Sequence, residues 1–463
     1  MSVWKKMTQK ASAQQYLQED VKFNKTLRAK DLMALGIGAV IGAGIFILPG
    51  TVAATKSGPS VIISFLLAAL VCATAAMCYA EFASTLPVAG SAYSYGNIVF
   101  GQFIGWVIGW ALILEYMLAV ATVSVGFSAY FSSFLQGFGL HLPQAISGPF
   151  NPGQHTYINL VGVIVIWLIA FMLSKGMSTS VKVNDAMVIV KILIIIVFIV
   201  VGLFYVKPKN WTPFAPFGAS GVFNGAATVF FAYLGFDAVS SSAPEVKNPQ
   251  RNLPIGIIGT LVVATILYMI VSIVLTGMVP YKQLNVADPV ALALQLSHLD
   301  FVSGIISIGA MAGMLTMMVT MIYSSSRLVY AIGRDGLLPK SLGSLNAKHL
   351  PNHSLLVVTI IISLMGGLID LDKLAELVNI GTLIAFAFVS LGIIPLRKRT
   401  DLVNDGFKVP GYPVLPIISL LLCLALMTRL QAITWIASVV WFGLGVIIYL
   451  TYGIHHSNLK MEE

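Results

Sequence analysis

The chain has 463 residues, of which 57% are hydrophobic and only 10% charged, with a mean hydropathy of +0.89. Soluble domains carry about 25% charged residues, so a soluble globular protein is excluded and a polytopic membrane protein is indicated. The net charge of +9 sits mainly in tails and loops between apolar runs, which marks membrane orientation and argues against a nucleic acid partner.

The first 30 residues form a polar tail with Lys5, Lys6, Lys10, Lys22, Lys25, Arg28 and Lys30. No cleavable signal peptide is read there, and the first apolar run is expected to serve as its own insertion signal. Runs of roughly 20 apolar residues then follow at 31–55, 59–85, 97–131, 156–174, 183–206, 220–243, 254–279, 301–331, 353–370, 374–396, 413–428 and 431–453. The expected fold is therefore an all-α polytopic membrane protein with 12 transmembrane helices. An even number puts both tails, 1–30 and 454–463, on one side. Lys and Arg on that side outnumber those on the other by 20 to 6, which orients both tails to the cytoplasm of a plasma membrane.

Span one contains IGAVIGAGIFILPG, residues 37–50, with glycines at 38, 42, 44 and 50. Glycine costs ~1 kcal/mol relative to alanine inside a helix, so the helix is weak at its middle. Small-xxx-small packing at Gly38 and Gly42 is one account; a functional interruption is the other. Span six carries a second weak segment, FFAYLGFD at 230–237. Spans one to five, 31–206, and spans six to ten, 220–396, have nearly equal lengths and an odd number of crossings. Each unit opens on an interrupted span. That pattern is the sign of a five-plus-five inverted repeat with discontinuous helices 1 and 6, and it points to a transporter binding site. Residues 413–453 supply two extra helices.

Charges within spans are few. Lys191 lies among aliphatic residues in VIVKILIIIVFIVVGLF, about four residues or ~6 Å from the midpoint of span five. Intramembrane ionisable residues are functional candidates by default. Burial disfavours a charged ammonium, so Lys191 is the candidate for proton coupling, bonding carbonyls freed near the break in span one. Glu115 in span three and Asp237 after the second break are candidate relay or gate residues. Glu81 lies near the cytoplasmic end of span two, and Arg327 closes span eight. Cys72, Cys78 and Cys423 all fall in apolar runs and are read as buried small side chains, with no metal site and no cofactor expected.

Several motifs carry a family resemblance. IGAGIF at 41–46 resembles the first-span signature of the amino acid–polyamine–organocation transporters. LPVAGSAYSY at 86–95 is similar to their loop between spans two and three, and GRDGLLPK at 333–340 to the loop after span eight. FFAYLGFDAVSSSAPEVKNPQRNLPIGI at 230–257 looks most like the cationic amino acid transporter branch and its bacterial members. The likeness runs from about residue 31 to 416. It implies alternating access and uptake of L-amino acids, and its proton-coupled members carry a lysine in span five, so sodium is not expected. Where the branch often has paired acids near the end of span six, this chain has Pro244 and Glu245, which argues against a preference for cationic substrates.

An α-amino acid needs partners for both its carboxylate and its ammonium. A broken helix frees N–H groups at the start of its second half and C=O groups at the end of its first. The segment Ile41, Gly42, Ala43 and Gly44 is the candidate carboxylate site, with the last three as amide donors. The carbonyls of Phe231, Ala232 and Leu234 are candidates for the ammonium. Phe231 is also read as a gate, and Met321 as the floor of the side-chain pocket, favouring small to medium neutral substrates such as alanine. A cationic amino acid transporter and an exchanger remain alternatives. The seven histidines lie in loops or tails without an HExxH motif, so an enzyme is not expected. A channel would want filter loops, and an amino acid sensor a longer signalling tail. The expected partners are the substrate and membrane lipids; a small membrane-protein partner stays open.

Overall fold

The computed structural model describes residues 3–14, 16, 25–88, 90–176, 181–347, 350–399, 401–402 and 406–459. Parts of both tails, including 17–24 and 460–463, and Ala89 of the LPVAGSAYSY motif lie outside the described residues. The described chain is helical, with isolated bridges such as Leu27 to Val246 in place of strands. A short helix, α1 (Val3–Thr8), precedes the first apolar run. That run is split into α2 (Ala29–Val40), α3 (Ala43–Phe46) and α4 (Leu48–Val52), and a π-helical turn at Ala53–Ser57 ends it. Asp31 starts α2 by accepting the Arg28 amide at 2.8 Å, a capping contact.

The helices that follow are α5 (Val61–Thr85), α6 (Ser91–Val99), α7 (Gln102–Gln136), α8 (Leu160–Ser174) and α9 (Val181–Leu203). Next come α10 (Gly218–Val229), α11 (Ala238–Ser241), α12 (Pro249–Met278), α13 (Pro289–Leu296) and α14 (Asp300–Arg334). The chain closes with α15 (Asn352–Leu368), α16 (Leu371–Leu396), α17 (Val414–Met427), α18 (Ala432–Ile448) and the short α19 (Ile454–His456). Eight helices among the described residues are long and apolar enough to cross a membrane, and α8, α15 and α17 are shorter apolar helices.

The sequence reading needs revision at two places. The span placed at 97–131 begins instead at Gln102, because Gly101 adopts φ +103 and separates it from α6, a helix over 91–99 that the hydropathy walk did not register. The loop after α12 also carries α13, too short to stand out as an apolar run.

Burial orders the layers. In the apolar windows of α7 and of the segment spanning α10 and α11, 83% of residues are buried, against 28% for α9 and 22% for α18. The first two form the centre and the last two the rim. Rim residues such as Ile189, Leu193, Ile196, Ile436 and Val439 are exposed apolar side chains, as a lipid-facing surface requires.

Both termini share one face, where Lys6 Nζ donates to Ile454 O at 3.3 Å. On this tail face Arg397 grips Glu81 through two bonds of 2.7 and 2.8 Å, and the Val409 amide donates to the same carboxylate at 2.6 Å. The far face has its own tie. Lys56 Nζ lies 2.7 Å from Thr228 Oγ1 and 2.9 Å from Glu376 Oε1, while Gln431 and Thr434 also donate to Glu376. That cluster joins the end of the first run to α10, α16 and α18.

Candidate functional site

The two interruptions meet at the centre of the molecule. α2 stops at Val40 and Ile41 leaves the helix at φ −81, ψ 92; Gly42 precedes the restart at Ala43. In the other run, α10 tightens into a 3-10 turn over Phe230–Tyr233, Leu234 is extended at φ −63, ψ 144, and α11 resumes at Ala238. Two glycines permit this approach. A Cβ on Gly44 would lie 2.7 Å from the Cα of Ala232, a backbone atom that cannot swing aside. Gly235 has φ +104, a region that side-chain-bearing residues rarely enter, and it packs on Ala39.

Lys191 is fully buried, and its Nζ donates to Gly38 O and Ile41 O, both at 2.9 Å. Gly38 lies in the last turn of α2 and Ile41 is the residue that caps it, where a helix terminus leaves carbonyls without amide partners. Gly313 of α14 lies against the aliphatic stem, with its Cβ position 3.6 Å from Lys191 Cε.

The candidate ligand groups divide into engaged and open ones. Gly42 N donates to Val40 O at 3.1 Å, so its amide is not free in this state; the turn that follows α2 has closed on it. Ala43 and Gly44 occupy the first turn of α3, where position alone removes a helical acceptor. Phe231 O accepts the Leu234 amide at 3.2 Å, and Ala232 O accepts the hydroxyl of Tyr268 at 2.6 Å. A carbonyl has two lone pairs, so both keep one acceptor position. Phe231, Ala232 and Leu234 are all buried.

Sequence reasoning missed Tyr268 and Met317. The Tyr268 hydroxyl lies 3.0 Å from Val40 O and 2.6 Å from Ala232 O, so one group reaches a carbonyl of each interruption. Met317 places its sulfur against Gly42, and Met321, one turn further along α14, places its methyl against Gly235. Their i, i+4 spacing was the available signal. It was read only at Met321.

Glu115 and Asp237 lie on the tail side of this centre and are buried. Tyr116 donates to Asp237 Oδ2 at 3.3 Å, while Asp237 Oδ1 and Glu115 Oε2 have no hydrogen-bond partner among the described residues. Among the described residues no group of His, Cys, Asp and Glu could hold a metal ion.

The family described as amino acid permease matches residues 27–455. A methylthioribose transporter of Bacillus subtilis is 48% identical over 437 residues, covering 94% of this chain and 95% of its own. A branched-chain amino acid permease of the same organism is 48% identical over 440 residues, covering 94% of each chain. A vacuolar cationic amino acid transporter of Arabidopsis thaliana is 36% identical over 380 residues, covering 81% of this chain and 63% of that one.

Proposed function

The chain belongs to the amino acid permease family, and from that premise we propose that it imports neutral L-amino acids through the plasma membrane by proton-coupled symport and alternating access. The relatives named above are transporters and permeases, so the chain is a transporter and not an enzyme. In our reading 31–206 and 220–396 are the two inverted repeats, 413–453 flanks them, and both tails face the cytoplasm. Support for the repeat comes from the two interruptions, which open the two units and pack on each other at Gly44 and Ala232.

The observation that carries the coupling is the pair of bonds from Lys191 to Gly38 O and Ile41 O. In this reading a charged Lys191 holds the end of α2 in place, as a cation would. When it gives up its proton the ammonium loses its charge and the carbonyls lose their strongest partner, so the position of the first interruption answers to the proton. The substrate carboxylate lies on the amides of Ala43 and Gly44, and its ammonium on the carbonyls of Phe231, Ala232 and Leu234. Met317 and Met321, soft and adaptable, face an aliphatic side chain. Small residues such as alanine and branched ones, as for the related branched-chain permease, fit this wall.

The test is uptake of labelled alanine and leucine into proteoliposomes, with and without an inward pH gradient and in sodium-free buffer. The reading holds if the gradient drives accumulation above equilibrium and sodium adds nothing. Sodium-dependent accumulation, or uptake indifferent to the gradient, would sink it. Methylthioribose belongs in the same panel because a transporter of that name is as similar as the branched-chain permease.

A further inference from the structure

Below the second interruption, on the tail face, lies a cavity of about 430 Å³. One end reaches Tyr116, whose hydroxyl bonds Asp237; the other reaches Arg334 and Asp335. Its volume falls within the roughly 300–1,000 Å³ of small-molecule sites. Through Tyr116 it lies one side chain away from Asp237 at the second break, and it can house an amino acid.

Two opposite charges on its wall are not spent on each other. Arg327 of α14 and Glu245 after α11 both line the cavity, and neither forms an ion pair among the described residues. The Arg327 guanidinium lies 4.2 Å from the centre of the Tyr323 ring. That stack fixes its position while committing none of its five N–H donors to a hydrogen bond. Glu245 is held through its backbone, because its carbonyl accepts the amides of Thr26 and Leu27 at 2.9 and 3.0 Å. Tyr323 lies within electrostatic reach of both charges. Elsewhere on the wall charges are paired: Arg334 meets Asp335 at 3.2 Å, and Tyr93 donates to Asp335 at 2.8 Å.

We propose that Arg327 and Glu245 form a second amino acid subsite on the tail side of the transport site, where the guanidinium takes the α-carboxylate and Glu245 supplies the counter-charge for the α-ammonium. A guanidinium offers a carboxylate two parallel bonds, and the wide cavity leaves the side chain unselected. An amino acid leaving the breaks is held here before it enters the cytoplasm, and one arriving from the cytoplasm during exchange binds here first. The subsite rests on the reading of the chain as an amino acid transporter with its tails inside.

The experiment uses the full chain in proteoliposomes of uniform orientation. It measures the external KM for labelled alanine and the internal alanine concentration that half-maximally stimulates exchange. Arg327→Gln and Glu245→Gln should each raise the internal value by about tenfold, the worth of one charge-assisted contact, and move the external KM less than about twofold. Arg327→Lys, which keeps the charge but loses the fork, should fall between. A transporting wild type whose internal value is shared by all three variants overturns the subsite alone. An equal rise of both constants also overturns it, since it places the effect in the transport site. A wild type that moves no amino acid overturns the transport reading, and the subsite falls with it.

Discussion

The hydroxyl of Tyr268 stands between Val40 O and Ala232 O, 3.0 and 2.6 Å away, so a residue of α12 ties the two interrupted helices to each other. It has one proton for two carbonyls, and the shorter contact marks Ala232 as the main acceptor. Removing it leaves Ala232 O, buried at the second break, short of its side-chain donor, while Val40 O keeps the Gly42 amide. Tyr268→Phe keeps the ring packing on Phe65 and Tyr233 and isolates the hydroxyl. The loss should be about 1–3 kcal/mol for the unsatisfied Ala232 carbonyl, read as a lower melting temperature in detergent, with transport slowed more than folded yield is reduced. Unchanged melting and turnover would show that the bridge holds nothing together.

At Gly44 the constraint is steric. Gly44→Ala places a methyl carbon 2.7 Å from Ala232 Cα, so the interruptions must separate. Uptake should fall to background while the protein is still inserted, because the strain lies at the meeting point of two segments and not along a packed core. Gly304→Ala is the control, since nothing lies within 4 Å of its Cβ position and it should transport like the parent. Full activity of Gly44→Ala, measured in the same vesicles, would mean that this close approach is dispensable.

Much of this centre was legible in the sequence because glycine and charge are conspicuous among aliphatic residues. IGAVIGAGIF located the first interruption, and the solitary Lys191 pointed to a polar neighbour, which the structure places at Gly38 O and Ile41 O. What could not be read was pairing across the fold. Tyr268 is one of 16 tyrosines with nothing local to distinguish it, and Met317 is one of 18 methionines marked only by its i, i+4 spacing to Met321. Their roles arise from the packing of α12 and α14 on the breaks. The state of each candidate group was equally hidden: that Gly42 N is spent on Val40 O depends on a turn only coordinates show. Arg327 reads only as the charge that closes its span, because the span gives no hint of the cavity beside it.

Lys191→Ala should separate the driving force from the pathway. The aliphatic replacement leaves Gly38 O and Ile41 O without their donor and also removes the charge. Gradient-driven accumulation of alanine should disappear, while exchange of internal for external alanine persists at a reduced rate, since exchange needs no net proton movement. Lys191→Arg should not restore accumulation: a guanidinium stays charged and is bulkier than the buried slot beside Gly313. Intact accumulation by Lys191→Ala vesicles would remove this residue from the coupling mechanism.

The far-face cluster is expected to act on the opposite closure. Lys56 and Glu376 are 2.9 Å apart, with side chains 26% and 4% exposed, so the carboxylate depends on its partners more than the ammonium does. Lys56→Met leaves Glu376 with Gln431 and Thr434 as donors, and the far side should open more readily. The expected result is faster labelling of a cysteine placed at Ser57, buried one residue after Lys56, with a several-fold lower apparent affinity from that side because the closed state is populated less. Swapping the charges, Lys56→Glu with Glu376→Lys, should recover part of both effects if the pair itself is responsible, since the distance suits either polarity. If the swap labels as fast as Lys56→Met, the closure depends on Thr228 and the hydroxyl network and not on the ion pair. If neither variant labels faster than the parent, the cluster is not a closure at all.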